Sequence, residues 1–147
     1  MKMRIISVGH KMPDWVSKAC QEYQKRMPSD CIIEIKELKP DINPAKEASK
    51  IIAAIPKGAV VIALDEHGMD LRTQAIADHL ANWRANGQDV AFLIGGANGL
   101  DPSLKANGGL TWKLSSLTLP HAFARLVLIE QLYRAWTILQ GHPYHRE

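Results

Sequence analysis

Three short segments in the last third of the chain carry residue types from which a ligand site can be built: Gly95-Gly96-Ala97-Asn98-Gly99-Leu100, Leu117-Thr118-Leu119-Pro120-His121 and Pro143-Tyr144-His145-Arg146. Glycines that end an apolar run let a ligand touch main chain, because a residue without Cβ leaves the backbone uncovered and reaches φ > 0. The apolar, proline-containing loop further on offers such a pocket a second wall. The terminal segment combines the rigidity of Pro143, the aromatic face of Tyr144 and the charge of Arg146. Stacking on Tyr144 and a phosphate contact from Arg146 would suit an unstacked nucleotide.

Competing chemistries fit less well. A nicotinamide enzyme needs G-x-G-x-x-G after its strand and an acid further on for the ribose. This chain has Ile94 where the first glycine belongs and no Asp or Glu between Asp101 and Glu130. The P-loop pattern GxxxxGK[ST] is absent as well. His142 and His145 have no carboxylate or cysteine set nearby, so no metal is expected. Blander readings stand beside the functional ones: Pro120 and His121 can simply start a helix, Leu117 and Leu119 can be core, and the tail can be solvated.

The elements that must position these segments alternate. Residues 4–8 read as a strand, followed by a turn and then a helix opened by Pro13 at its first position. In that helix Trp15, Val16, Ala19, Cys20, Tyr23 and Met27 recur at helical spacing until Pro28. Residues 31–38 alternate as a half-buried strand near an edge. Asn43-Pro44 supplies an N-cap and first residue for a helix whose expected buried stripe is Ala48, Ile51, Ile52 and Ile55. The continuously apolar run 59–64 reads as a central parallel strand covered on both faces. Thr73 is the expected cap of a third helix carrying Ile76, Leu80 and Trp83, with Gly87 beyond its end. Residues 90–94 make a fourth strand. Asp101-Pro102 opens a short helix, residues 110–114 make a fifth strand, and a long helix spans about 122–140. Its expected apolar face comprises Phe123, Leu126, Val127, Ile129, Leu132, Tyr133, Trp136 and Leu139. Alternating strands and helices argue an α/β layer structure around a parallel sheet.

At 147 residues, with 46% hydrophobic and 22% charged residues and a net charge of +3, the chain reads as one ordinary globular domain. The charge is compatible with RNA but does not by itself indicate it. Two distant cysteines, Cys20 and Cys31, and the lack of a signal sequence or membrane-length apolar run point to a reducing cytoplasm.

Taken together, the strand ending Leu93-Ile94-Gly95-Gly96, the Leu-Thr-Leu-Pro-His loop, the terminal Tyr144-His145-Arg146, the opening Val8-Gly9-His10-Lys11-Met12-Pro13 and Leu64-Asp65 resemble the small SPOUT-class RNA methyltransferases. The resemblance extends over nearly the whole chain and is closest to the RlmH family, which methylates a pseudouridine in large-subunit ribosomal RNA. It implies a single SPOUT domain over residues 1–147, a parallel sheet flanked by helices with a C-terminal deep trefoil knot. It implies that S-adenosylmethionine is contacted by Leu64 and Gly96 and wrapped by Ser116, Leu117, Thr118, Leu119, Pro120 and His121. It also implies a homodimer without metal or membrane attachment, acting at N3 of a pseudouridine on the assembled ribosome. Methyl transfer from an activated sulfonium needs mainly positioning, so a strong base can be dispensed with. His121, Glu130, His145 or water could accept the N3 proton, while Tyr144 and Arg146 hold the RNA, one protomer's tail serving the other's cofactor. The alternative is a non-catalytic ribosome-binding or assembly factor that binds the same cofactor.

Overall fold

The computed structural model describes residues 1–9, 11–96, 98–106 and 110–146, so His10 of the opening motif and Ala97 of the glycine segment lie outside the described residues. Its elements are β1 (Lys2–Val8), α1 (Asp14–Arg26), β2 (Ile32–Leu38), α2 (Pro44–Ala54), β3 (Val60–Asp70), α3 (Thr73–Ala85), β4 (Val90–Ile94), α4 (Pro102–Ala106), β5 (Leu110–Lys113), α5 (His121–Leu139) and a terminal 3-10 turn, Pro143–His145. The strands form one sheet in the order β2-β1-β4-β3-β5, and every ladder is parallel. The expected α/β alternation is therefore present, with β2 at an edge as its half-polar pattern suggested.

Parallel strands need cover on both faces, and alternate residues serve the two cores. Ile5, Ile62 and Phe92 point into a core shared with α1, α3 and α5. Ile6, Ala63, Ala91 and Leu93 point into a second core with Ala48 and Ile51 of α2 and Leu104 of α4. All five residues of β4 are buried. The middle strand is thus β4, whereas β3 is interior but one place nearer the edge. Moreover, β3 does not stop at residue 64. Its register against β5 breaks between Leu64 and Met69, then resumes as Met69 pairs with Trp112 and Asp70 with Lys113. Gly68 permits that return, since a Cβ there would lie 2.6 Å from the Trp112 carbonyl carbon.

Several helix details differ from expectation for simple geometric reasons. Successive helical residues are turned about 100° apart, so the neighbour of a buried residue can point outward where the buried stripe is narrow. Ile51 is buried while Ile52 is 50% exposed, and Val16 is buried while Trp15 is 56% exposed. On α5 the buried positions are Arg125, Leu128, Ile129, Leu132, Tyr133, Ala135 and Thr137, and Phe123 is exposed instead. Pro13 stands just outside α1 as its N-cap, and Thr73 is the first residue of α3 after the N-cap Arg72. The Thr73 hydroxyl donates to Gln131 of α5 at 2.7 Å, which ties the two helices rather than capping one. Asn43 does cap α2, its Oδ1 accepting from the Ala45 and Lys46 amides at 2.9 and 3.3 Å.

Replacing Phe92 by Ala should cost about 3–5 kcal/mol of stability, as large-to-small changes in a tight core do. Ile52→Ala should stay within about 0.5–1 kcal/mol, in the range of surface substitutions. Urea unfolding of the two variants checks this ordering.

Candidate active site

The carboxyl ends of β3, β4 and β5 open into a cavity of about 940 Å³. Open parallel sheets bind ligands at this edge, because the loops leaving the strands diverge there. Three segments form the walls: Leu64 to His67 where the pairing of β3 with β5 breaks, the glycine segment after β4, and Leu114 to Leu119 between β5 and α5.

The glycine wall is built by close backbone approach. The Gly99 amide donates to the Gly96 carbonyl at 3.0 Å, and Gly99 takes φ 73°. A Cβ on Gly95 would sit 2.5 Å from the Gly99 carbonyl carbon, a distance that real side chains do not tolerate. Gly96 differs, since among the described residues a Cβ there would meet only Val8, at an ordinary 3.5 Å. Internal packing therefore leaves Gly96 optional, while its uncovered main chain faces the cavity. The third wall starts with a tight turn in which the Ser115 hydroxyl accepts from the Leu117 amide at 2.9 Å. Leu117 is 75% exposed, so it is not the core residue that its type alone would suggest. A polar rim supplements these walls: Asp65 pairs with Lys105 at 3.5 Å, and Glu66, His67 and Lys113 stand near them.

His121 forms the inner end of the cavity at the start of α5, with Pro120 as the helix N-cap just outside the lining. Its Nε2 lies 2.8 Å from the hydroxyl of Ser7, a fully buried residue on β1. Arg125, one turn along α5 and 3% exposed, donates from Nη2 to the same hydroxyl at 2.8 Å and from Nη1 to Glu37 at 3.0 Å. Burial first, and the Arg125 charge second, hold the His121 imidazole below its ordinary pKa, partly offset by a hydrogen bond with the Gly95 backbone. Ser7 and Arg125 were missed in the sequence. The available signal was the i,i+4 spacing of His121 and Arg125, which puts both on one helix face.

Of the residues expected around a cofactor, Leu64, Gly96, Ser116, Leu117, Thr118, Leu119 and His121 all line this cavity. Glu130, Tyr144, His145 and Arg146 do not, and three of them form a second cluster with Arg134. The Tyr144 hydroxyl lies 3.2 Å from the Tyr23 hydroxyl and donates to Glu130 Oε1 at 3.3 Å. Arg134 donates to the same carboxylate oxygen at 2.8 Å and meets Nδ1 of His145 at 3.2 Å. The Arg134 guanidinium stands 4.9 Å from the Tyr144 ring centroid, and Tyr133 meets that ring edge-on at 4.8 Å. Burial, the Tyr23 hydrogen bond and the Glu130 charge push the Tyr144 phenol well above its ordinary range. The tail is therefore folded onto α5 and α1 rather than frayed. Its tyrosine ring is already in contact, which limits it as a free stacking platform, and Arg146 is exposed beside it. His142 accepts the Tyr144 amide at 3.1 Å. Among the described residues no three His, Cys, Asp or Glu side chains gather as a metal site.

A parallel sheet whose carboxyl-end cavity is walled by bare glycine main chain and an apolar loop defines an α/β protein with a small-molecule site at its strand ends. The model of a family described as predicted SPOUT methyltransferase matches residues 1–145. A protein of Polynucleobacter asymbioticus named ribosomal RNA large subunit methyltransferase H is 70% identical over 147 residues, covering all of both chains. One of the same name from Paraburkholderia phymatum is 53% identical over 155 residues, covering 99% of each. The chain belongs to the SPOUT methyltransferase family, in the branch whose members carry that name. Solved structures share the fold at low identity. A probable methylase family protein of Haemophilus influenzae superposes with TM-score 0.61 at 11% identity, over 99% of this chain and 70% of its own. The SpoU methyltransferase AviRb of Streptomyces viridochromogenes, solved with AdoMet, gives 0.50 at 14% identity, over 89% of this chain and 56% of its own.

Gly95→Ala should displace the Gly95–Gly99 turn and lower stability by about 1–3 kcal/mol, the usual cost of overpacking. Gly96→Ala should fold as the parent does. Thermal melts of the pair check the distinction.

Proposed function

We propose that this chain is an S-adenosylmethionine-dependent methyltransferase that modifies N3 of a pseudouridine in large-subunit ribosomal RNA, acting on the assembled ribosome in the cytoplasm. The observation that carries the cofactor assignment is the cavity: its volume suits a ligand of this size, and it offers bare main chain at Gly96 between apolar residues Leu64, Leu117 and Leu119. The names of the near relatives support the substrate class. In this reading Leu64 and Gly96 contact the cofactor, while the loop from Ser116 to Pro120 wraps it, main-chain groups meeting the adenine edge. The trefoil knot implied by the resemblance would bring that loop beside the glycine segment.

The cofactor, when bound, supplies an activated methyl group on a sulfonium. This chain's own task is to bring the nucleotide in line with that group and exclude water. Glu130 receives the Arg134 guanidinium, the Tyr144 hydroxyl and, on its other oxygen, the Gln131 amide at 2.9 Å. It therefore holds the tail in shape, with Arg146 presented to phosphate. The N3 proton leaves to His145 or to water. His121 takes no part as proton carrier, because its ring nitrogens are occupied by Ser7 and the Gly95 backbone.

In this reading two copies cooperate. The cavity lies at the first turn of α5, and the Arg134 cluster lies about 20 Å along it at about 1.5 Å per residue. A partner's tail reaching the cavity joins the two halves of the site. Trp15 and Phe123, exposed and packed edge-to-face at 5.8 Å, together with Leu117 at the cavity mouth form the apolar surface for that partner.

Ribosomal RNA from cells lacking this protein should lose one methylated pseudouridine by mass spectrometry; an unchanged spectrum would leave a non-catalytic ribosome factor. Arg146→Ala should cut methylation of ribosomes at least tenfold while calorimetry shows cofactor affinity within about twofold, since a phosphate contact adds affinity for RNA alone. Phe123→Glu should give a monomer by sedimentation equilibrium, inactive on ribosomes.

A further inference from the structure

The buried polar row under the cavity has a direction. Arg125 can only donate, so the Ser7 hydroxyl oxygen accepts from it. Ser7 is completely buried, and its hydroxyl proton needs an acceptor. Nε2 of His121, at 2.8 Å, is that acceptor. The imidazole is then neutral with its proton on Nδ1, the group left to donate to the Gly95 carbonyl; a backbone contact that favours the charged ring must be to an acceptor. The chain of donors runs from Arg125 through Ser7 and His121 to Gly95, with Glu37 neutralising its head.

This row follows the sheet. Ser7 is level with Glu37 on one side and with Ile94, the residue before Gly95, on the other. One polar line, buried from Arg125 and Ser7 inward, thus ties the carboxyl ends of β2, β1 and β4 to the first turn of α5. It ends on the glycine whose position admits no Cβ.

We propose that His121 is a positioning residue: with Ser7 and Arg125 it holds the Gly95 backbone and the start of α5 in the arrangement that receives the methyl donor, and it does so only while its ring is neutral. The inference rests on the reading that this cavity takes S-adenosylmethionine. Protonation would remove the acceptor that Ser7 needs and set a second cation beside Arg125. It would also place positive charge at the wall of a cavity meant for a sulfonium. The groups facing the ring and its partners are Arg125 on α5, Glu37 on β2, Ser7 on β1, the Gly95 backbone after β4 and, from α1, Cys20, whose thiol burial holds neutral. None offers His121 a carboxylate directly.

The sign follows from the depressed ring pKa. Above the ordinary histidine value of about 6.5 the neutral form is complete and cofactor affinity is flat. Below the ring's own lower pKa, binding must expel a proton, and the Kd should rise up to about tenfold per pH unit. His121→Asn keeps an amide donor near the Nδ1 position but removes the acceptor for Ser7, so it should abolish the acid limb and weaken neutral-pH binding less than His121→Phe does. His121→Phe and Ser7→Ala should weaken S-adenosylmethionine about tenfold or more, the loss falling mainly on cofactor KM rather than kcat. Nitrogen NMR of the cofactor-free protein should show the His121 proton on Nδ1. A ring protonated on Nε2, an affinity flat through the acid range, or a His121→Phe variant that binds as the parent does would each overturn the inference. If the unaltered protein binds no S-adenosylmethionine at neutral pH, the functional reading fails instead, and the NMR measurement still decides the network.

Discussion

Complete burial of β4 is the constraint on which the rest of the structure depends. A strand with hydrogen-bonded neighbours on both sides and helices over both faces has no solvated surface, so all of Val90–Ile94 must be apolar. The chain can escape only at its ends. At the carboxyl end it must turn within a residue or two of the core, under the start of α5 and beside β1, and only Gly95 fits there. The opening that results, walled by the loops of β3 and β5, is where a ligand can enter. Core and site are thus consequences of the same packing, since the close approach that demands glycine also leaves main chain uncovered at Gly96.

That burial raises the question of why a charged residue lies beneath the cavity. Removing a guanidinium from water is expensive, and apolar residues of similar volume often replace buried ion pairs without loss. Arg125 recovers part of the cost from Glu37, but Glu37 is half exposed and so partly screened, and among the described residues the Arg125 Nε finds no partner. The arrangement is poor as a device for stability alone. It is well suited to fixing orientation: the guanidinium fork sets the Ser7 hydroxyl, which sets the imidazole tautomer.

At the far end of α5 the same helix organises a different environment. Arg26 stands 5.1 and 5.5 Å from the rings of Tyr23 and Tyr133, and Arg134 covers Tyr144, so cations and aromatics interleave around the Glu130 carboxylate. Long side chains held on ring faces keep little freedom to lose when a polyanion arrives. Helix α5 therefore separates two polar clusters by much of its own length, a buried one that shapes a cavity and a surface one in which cations and rings interleave.

The sequence by itself determined the alternation of strands and helices, because periodicity, proline and glycine positions and the Asn43 cap are local signals that tertiary packing did not override. It also determined most of the cavity lining, since Gly96 and the Ser116 to Leu119 loop follow strands β4 and β5 and Leu64 stands where the apolar run of β3 ends. Only the tertiary structure decided strand order, placing β4 rather than β3 at the centre, because order depends on how far each crossover carries the chain. It alone turned Trp15, Ile52, Phe123 and Leu117 outward and Arg125 inward, as helix rotation and loop course are set by the surfaces they meet. And it alone brought Ser7, at one end of the chain, against His121, near the other. Such a contact leaves no trace in spacing, because neither residue's neighbours along the chain create it.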